Sequence, residues 1–397
     1  MEKLCWTAIF VASLCAVASG ADRIETIDAR QFAGPVVSVT KNAVVFGRSG
    51  ASQQLPRSDV ASVVLAQAGQ LMQRNGQAVI VTAGGGQLAA ADINVADGKV
   101  SFASGLLGRV SWPMGRISRI LLPGGATSPA QVLAELERLA PAGQDLDVLL
   151  VRRSDGNLAA VAGVLEKVDA EAVRFRWKGK ARAAGRDSVL AVRLAGAAGE
   201  LPSPGGVLRG RDGSRIGFST LSMDSRSVTV ELLPGRRQQI PRECVAAIHF
   251  VSDRVTALSA LKPAVVTEYG FFDQPFGHRV DRAVGGGALR LGGKTYDSGL
   301  GLHSFCELTW RLDGPYSSLV AVVGIDDAVR PRGAAMLTFL GDGKPLAAPL
   351  HLTGKDPPQT LRLGLTGVRE LTVRVEFGPD GLDVGDHVDL AGARLIR

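Results

Sequence analysis

Short runs of alternating apolar and polar residues dominate this chain, and helical stripes are rare. Over residues 21–251 the pattern repeats. An apolar run, VVF (44–46), is followed by DVASVVL (59–65). The pair returns as VSF (100–102) with RISRILL (116–122), as VRF (173–175) with SVLAVRL (188–194), and as VTV (228–230) with CVAAIHF (244–250). Each second run places apolar side chains at i, i+3 and i+5: Val60, Val63, Leu65; Ile117, Ile120, Leu122; Val189, Val192, Leu194; Val245, Ile248, Phe250. The offset between the paired runs is 16, 17, 16 and 17 residues, a regularity that marks an internal repeat. Asp155-Gly156 and Asp212-Gly213 are hairpin-turn dipeptides in copies three and four.

Each copy is expected to form a strongly bent antiparallel sheet of about five strands, which resembles the SH3-like or Sm-like barrels at the level of fold. Between copies two and three, TSPAQVLAELERLA (127–140) predicts a short packing helix. Thr127 or Ser128 can cap it, Pro129 suits its first turn, and Val132, Leu133, Leu136 and Leu139 form one stripe. Residues 252–263 read as a short helical linker stopped by Pro263. Beyond it, LTFLGDGKPL (337–346), ELTVRVEF (370–377) and ARLIR (393–397) are strands and turns of an antiparallel sandwich or jelly roll. The expected fold class is therefore mainly β, with small barrel-like repeats followed by a β-sandwich. The expected divisions are a leader (1–20), repeats one and two (21–126), a helical linker (127–145), repeats three and four (146–251), a second linker (252–263) and the sandwich (264–397).

Composition changes this picture mainly at the N-terminus. Lys3, the apolar run LCWTAIFVASLCAV (4–17) and the small residues Ala18-Ser19-Gly20 have the layout of a secretory signal peptide. The run is short for a bilayer span of about 20 residues, and no later segment is long and apolar enough. The chain is expected to be secreted, or held in the periplasm or cell envelope, with no transmembrane segment after cleavage. Cys244 and Cys306 would remain, and two cysteines make neither a disulfide framework nor a zinc motif. The formal net charge of +7 lies in residues 21–253, because residues 254–397 hold 16 basic and 16 acidic side chains. In FRWKGKARAAGR (175–186), Trp177 stands among cations. The preferred reading is a solvated hairpin whose charges discourage edge pairing, with no nucleic-acid partner.

All three tyrosines and four of the five histidines fall beyond residue 263, so the ligand site is sought there. The stretches YDSGLGLHSFCELTWRLDGPYSSLVAVVGIDD (296–327), FLGDGKPL (339–346), GVRELTVRVEFGPDG (367–381) and GDHVDLAGARL (385–395), in this order, resemble the NPCBM domains, carbohydrate-binding modules related to the family 51 modules. The resemblance covers about a third of the chain and implies a β-sandwich with sugar recognition on loops at one end. It implies a carbohydrate partner, galactose-type or another glycan, contacted by His303, Asp386, His387 and Asp389, with Tyr296 as a stacking surface. The family's D-H-x-D motif continues into tryptophan where this chain has Leu390, so aromatic grip is expected to be weakened there. Tyr269, Phe272, Tyr296 and Tyr316 are the candidate replacements.

In KTYDSGLGLHS (294–304) no helix start follows the glycines, which excludes a dinucleotide loop and leaves a tight corner beside the ligand loop. Asp326 and Asp327 are candidates for a structural Ca²⁺, the alternative being a polar turn whose carboxylates cap backbone amides. Adjacent strand residues point to opposite faces, which suits paired acid/base catalysis poorly. No catalytic residues and no enzyme activity are expected. The function expected is exported, non-catalytic glycan binding with the repeats as scaffold. The alternatives are an envelope protein that binds a protein partner, Leu390 marking a lost sugar site, and an accessory part of a glycosidase system.

Overall fold

The computed structural model describes residues 21–47, 51–66, 77–124, 127–140, 145–196, 203–233, 236–270 and 276–397. The leader and Phe272 lie outside the described residues. Two compact units form: residues 21–26 with Gln31–Val251, and Ile27–Arg30 with Ser252–Arg397. Nearly all regular structure is strand, and among the described residues no helix is long and apolar enough to cross a membrane.

The first unit contains four copies of one motif. Each ends in a strand introduced by a single 3-10 turn: Arg57–Asp59 before Val60–Val64, Met114–Arg116 before Ile117–Leu121, Arg186–Ser188 before Val189–Arg193, and Arg242–Cys244 before Val245–Phe250. The i, i+3, i+5 pattern has a structural cause. A regular strand puts i and i+3 on opposite faces, so one residue must be bulged out to bring both inward. Every closing strand has this bulge, at Ala61, Ser118, Leu190 and Ala246, where the pairing register skips one residue. The patterned residues then share one core, with Phe250 half-buried at its edge. Closing strands also join the copies, one to four through Val63 and Ile248, and two to three through Ile120 and Val192. Two buried carboxylates repeat as well. Asp22 accepts the Val36 and Ala66 amides, and Asp147 accepts those of Leu165 and Ala195, all at 2.7 Å.

The helix Pro129–Leu139 forms as its stripe predicts. Ser128 and Gln131 exchange side-chain and backbone hydrogen bonds in a capping box, and Val132 and Leu136 pack on Val79, Val148 and Leu190.

The second unit is a two-sheet sandwich. One sheet runs Arg279–Val280, Gly299–Leu302, Val388–Ile396, Ser318–Ile325, Gln359–Gly364; the other runs Val265–Glu268, Cys306–Arg311, Glu370–Phe377, Ala334–Gly341. Leu302, Leu308, Trp310, Val323, Val373 and Leu390 fill the space between them. The segment expected as a helical linker is different: Val255–Ala257 is a strand paired with the end of Val388–Ile396, followed by a 3-10 turn, Leu258–Ala260. β-Branched Val255 and Thr256 suit the sheet, but their partner lies about a third of the chain away, so no local pattern announces it. Cys244 and Cys306 are both free thiols, and burial pushes the Cys306 thiol well up.

Candidate functional site

The glycines of the KTYDSGLGLHS stretch allow close backbone approach. A Cβ on Gly301 would lie 2.4 Å from the Arg282 carbonyl oxygen, and one on Gly299, where φ is +141°, would lie 2.5 Å from that of Leu390. The strand Gly299–Leu302 therefore lies tightly between its neighbours and delivers His303 to the end of the sandwich. The neighbouring strand begins at Val388, paired with Leu302, so His387 arrives at the same end.

There His303 and His387 meet edge to face, with ring centroids 5.4 Å apart. His303 is buried, and its Nδ1 lies 2.8 Å from the Ser304 carbonyl oxygen. A carbonyl only accepts, so Nδ1 carries the proton. Asp386 is buried beside them. Its Oδ2 accepts the Ser304 hydroxyl at 2.6 Å, and Oδ1 accepts the Ala334 amide at 2.9 Å. Burial raises the Asp386 carboxyl above the usual carboxylate range. Burial, then the nearby His303 and Arg332, lower the His387 imidazole below its ordinary value. Both shifts favour the neutral forms.

Aromatic surface borders this cluster. Phe276 is 51% exposed and its ring centroid lies 4.3 Å from that of His303. Tyr269, 45% exposed, stacks on Phe305 with centroids 4.4 Å apart and planes at 12°. His278 secures the chain just after Phe276, because its backbone N–H and Nδ1 both engage Glu268 Oε1, at 2.6 and 2.8 Å. Phe276 was not picked out by the sequence reading. The cue was present, an aromatic residue between Pro275 and Gly277 in a loop, where no periodic pattern draws it into the core.

His303, Asp386 and His387 are thus brought together, and the other two expected contacts are not. Tyr296 lies beside Gly392, five residues along the strand from His387, or roughly 16 Å at the usual rise per residue. Asp389 points to the outer face of its sheet, beneath the hairpin Leu289–Leu291 and Lys294–Tyr296. Its Oδ2 and that of Asp326 converge on one N–H, that of Arg290, each at 3.1 Å. Two oxygens sharing one donor would repel as a pair of anions, so the pair holds a proton. Burial first, then Asp326, push the Asp389 carboxyl up to about 9. Leu390 needs correction too. It is fully buried between the sheets, so the residue at this position packs the core and does not face a ligand. Tyr316 is also buried.

Asp326 and Asp327 lie just beyond the strand Ser318–Ile325, so strand alternation does not separate them, and both reach the same hairpin. Asp326 Oδ1 accepts the Ala328 amide at 2.9 Å, while the two Asp327 oxygens accept the Gly292 and Gly293 amides at 2.9 and 2.7 Å. Together with Asp389 they tie down the hairpin. Calcium takes six to eight oxygen ligands. Here N–H groups already point at these oxygens, and no cluster of three metal-ligating side chains occurs among the described residues. The arrangement does not suit calcium. We expect millimolar calcium to leave the melting temperature of the sandwich within about 1 °C of its value in EDTA, whereas saturating a real site 100-fold would add about 2.7 kcal/mol.

Residues 256–396 match the NPCBM/NEW2 domain. A curated protein of Renibacterium salmoninarum, "Putative endo-alpha-N-acetylgalactosaminidase", is 34% identical over 96 residues, which are 24% of this chain and 6% of that protein. The chain thus spans a small fraction of the curated relative it matches. Among solved structures, the family 51 carbohydrate-binding module of a Clostridium perfringens family 95 glycoside hydrolase, in complex with methyl-galactose, is 22% identical over 36% of this chain and 99% of its own, with a TM-score of 0.32. Tandem family 51 modules of a Streptococcus pneumoniae family 98 glycoside hydrolase are 10% identical over 94% of this chain and 87% of theirs, with a TM-score of 0.31.

Proposed function

We propose that the chain is an exported, non-catalytic glycan-binding protein. Its sandwich takes sugar against Phe276 and Tyr269, with His303, Asp386 and His387 as the polar contacts and the four repeats as scaffold. The observation that carries the reading is the exposed Phe276 ring directly against buried His303, with the buried Asp386 and the half-buried His387 beside it. A pyranose ring has an apolar face bounded by hydroxyl groups. An aromatic ring matches the face, and a few fixed polar groups match the hydroxyls. The environment drives Asp386 and His387 towards neutrality, which suits an uncharged, hydroxyl-rich ligand better than an ion. The NPCBM match over residues 256–396 supports the same class of ligand. Export rests on the signal-like residues 1–20. A second reading, an accessory of a glycosidase system, is favoured by the segment shared with the Renibacterium protein.

A glycan array probed with the full chain, followed by calorimetric titration of the hits, tests this. Phe276→Ala is expected to weaken binding about tenfold, since an aromatic contact contributes about 0.5–1.5 kcal/mol beyond area burial. A folded protein that binds no glycan, or a Phe276→Ala variant with unchanged affinity, contradicts it.

A further inference from the structure

The basic hairpin of the third repeat has a cleft beneath it. The long strand Leu158–Val168 pairs with Asp147–Arg152 as far as Gly163, and with Ala172–Trp177 only from Val164 onward. Where it changes partner, the sheet splits. A cleft of about 590 Å³ opens there between residues 160–163 and the hairpin tip. Gly163 allows the bend, because a Cβ there would lie 2.6 Å from the Arg176 carbonyl oxygen. Leu146, Val164 and Trp177 line the cleft and are all exposed, at 46, 47 and 38%. Large apolar side chains left in water side by side mark a contact surface more than a stable exterior.

The charged side chains that line this apolar strip are all cationic. Arg153, Arg176 and Lys178 line the cleft, and Lys178 Nζ lies 4.9 Å from the centroid of the Trp177 ring. Arg176 is paired with Glu166. Among the described residues no carboxylate pairs with Lys178, Lys180 or Arg182. Lys180 stands directly across the hairpin from Trp177, on the same face of the ribbon. A single aromatic ring ringed by cations, in a concave site large enough for sugar units, fits a pyranose that carries an anionic group. A single-stranded nucleic acid would call for successive rings, one for each stacked base.

We propose that this cleft is a second saccharide site, selective for acidic polysaccharide, with Trp177 against the pyranose face and Arg153, Lys178 and Lys180 around its carboxylate or sulfate. The site is independent of the sandwich and of the reading given to it.

Of the four tryptophans, Trp6 lies in the signal-like residues 1–20 and Trp112 and Trp310 are buried, so Trp177 provides its own probe once those first residues are removed. Polygalacturonate or chondroitin sulfate added to the chain lacking them should change the emission of Trp177 saturably, and neutral dextran should not. The change should disappear in Trp177→Phe, and binding followed by calorimetry should fall at least tenfold in Trp177→Ala. Lys178→Ala should weaken binding and flatten its dependence on salt, as the loss of a charge contact requires. These side chains are exposed, so the variants should melt like the parent chain. Dextran binding as well as the polyanions, Trp177→Ala binding unchanged, or an oligothymidylate displacing the polyanions at lower concentration would each overturn the proposal.

Discussion

Asp389→Asn is expected to raise the stability of the sandwich at alkaline pH and to remove much of its pH dependence. The Asp389 carboxyl is raised to about 9 by burial and by Asp326, against about 3.9 for an aspartate in an unfolded chain. Below about pH 4 both states hold the proton and nothing is gained or lost. Between about 4 and 9 the unfolded chain has released it and the folded chain has not. The unfolded state then binds fewer protons, so stability falls as pH rises, by up to about 1.4 kcal/mol per unit. From pH 7 to 9 this is up to roughly 3 kcal/mol, a large share of a domain's stability. The window also avoids His387, whose lowered pKa acts in the opposite sense and only at lower pH. Asparagine keeps the shape and supplies a permanent donor towards Asp326. Denaturant unfolding at pH 7 and 9 should show a steep loss in the parent chain and a shallow one in the variant. Equal slopes in both proteins would mean that the pair holds no proton.

Gly301→Ala should destabilise the sandwich by about 1–3 kcal/mol or more, the usual cost of forcing an extra methyl into a filled space. The new Cβ would meet the Arg282 oxygen at 2.4 Å, the Val284 nitrogen at 2.8 Å and the Ala283 carbonyl carbon at 2.9 Å. All three are backbone atoms, so no side-chain rotation relieves the contact. Gly287→Ala, in the same loop, meets nothing within 4 Å and serves as the control. A shift in the denaturation midpoint for Gly301→Ala alone is the expected result. Equal, small effects would mean that the strand and loop do not lie this close.

These two positions show what could be read from sequence. The glycines of KTYDSGLGLHS marked a tight corner, because only glycine tolerates such approach, although which backbone lay opposite required the fold. The repeats were legible for a local reason: one bulge per closing strand writes itself into the sequence as the i, i+3, i+5 spacing. The strand Val255–Ala257 was not, since its pairing with residues 394–396 leaves no mark within three residues. Asp386 and Asp389 look equivalent in D-H-x-D, yet a strand alternates its faces only once it begins. Asp386 and His387 precede the strand and stay at the sandwich end, while Asp389, one residue into it, turns outward beneath the hairpin. Leu390, on the opposite face, enters the core. Phe276 carried no periodic signal and emerged only from its place against His303.

The central claim is that glycan binds at the His303–His387 end of the sandwich. Nitrogen-detected histidine NMR of the full chain during titration with an array-positive sugar tests it most directly. The chain has five histidines, two of them in the proposed site. The account predicts that the ring signals of His303 and His387 move saturably with the calorimetric affinity, while those of His249 and His351 do not. Sugar bound at full stoichiometry with His303 and His387 unmoved would contradict it.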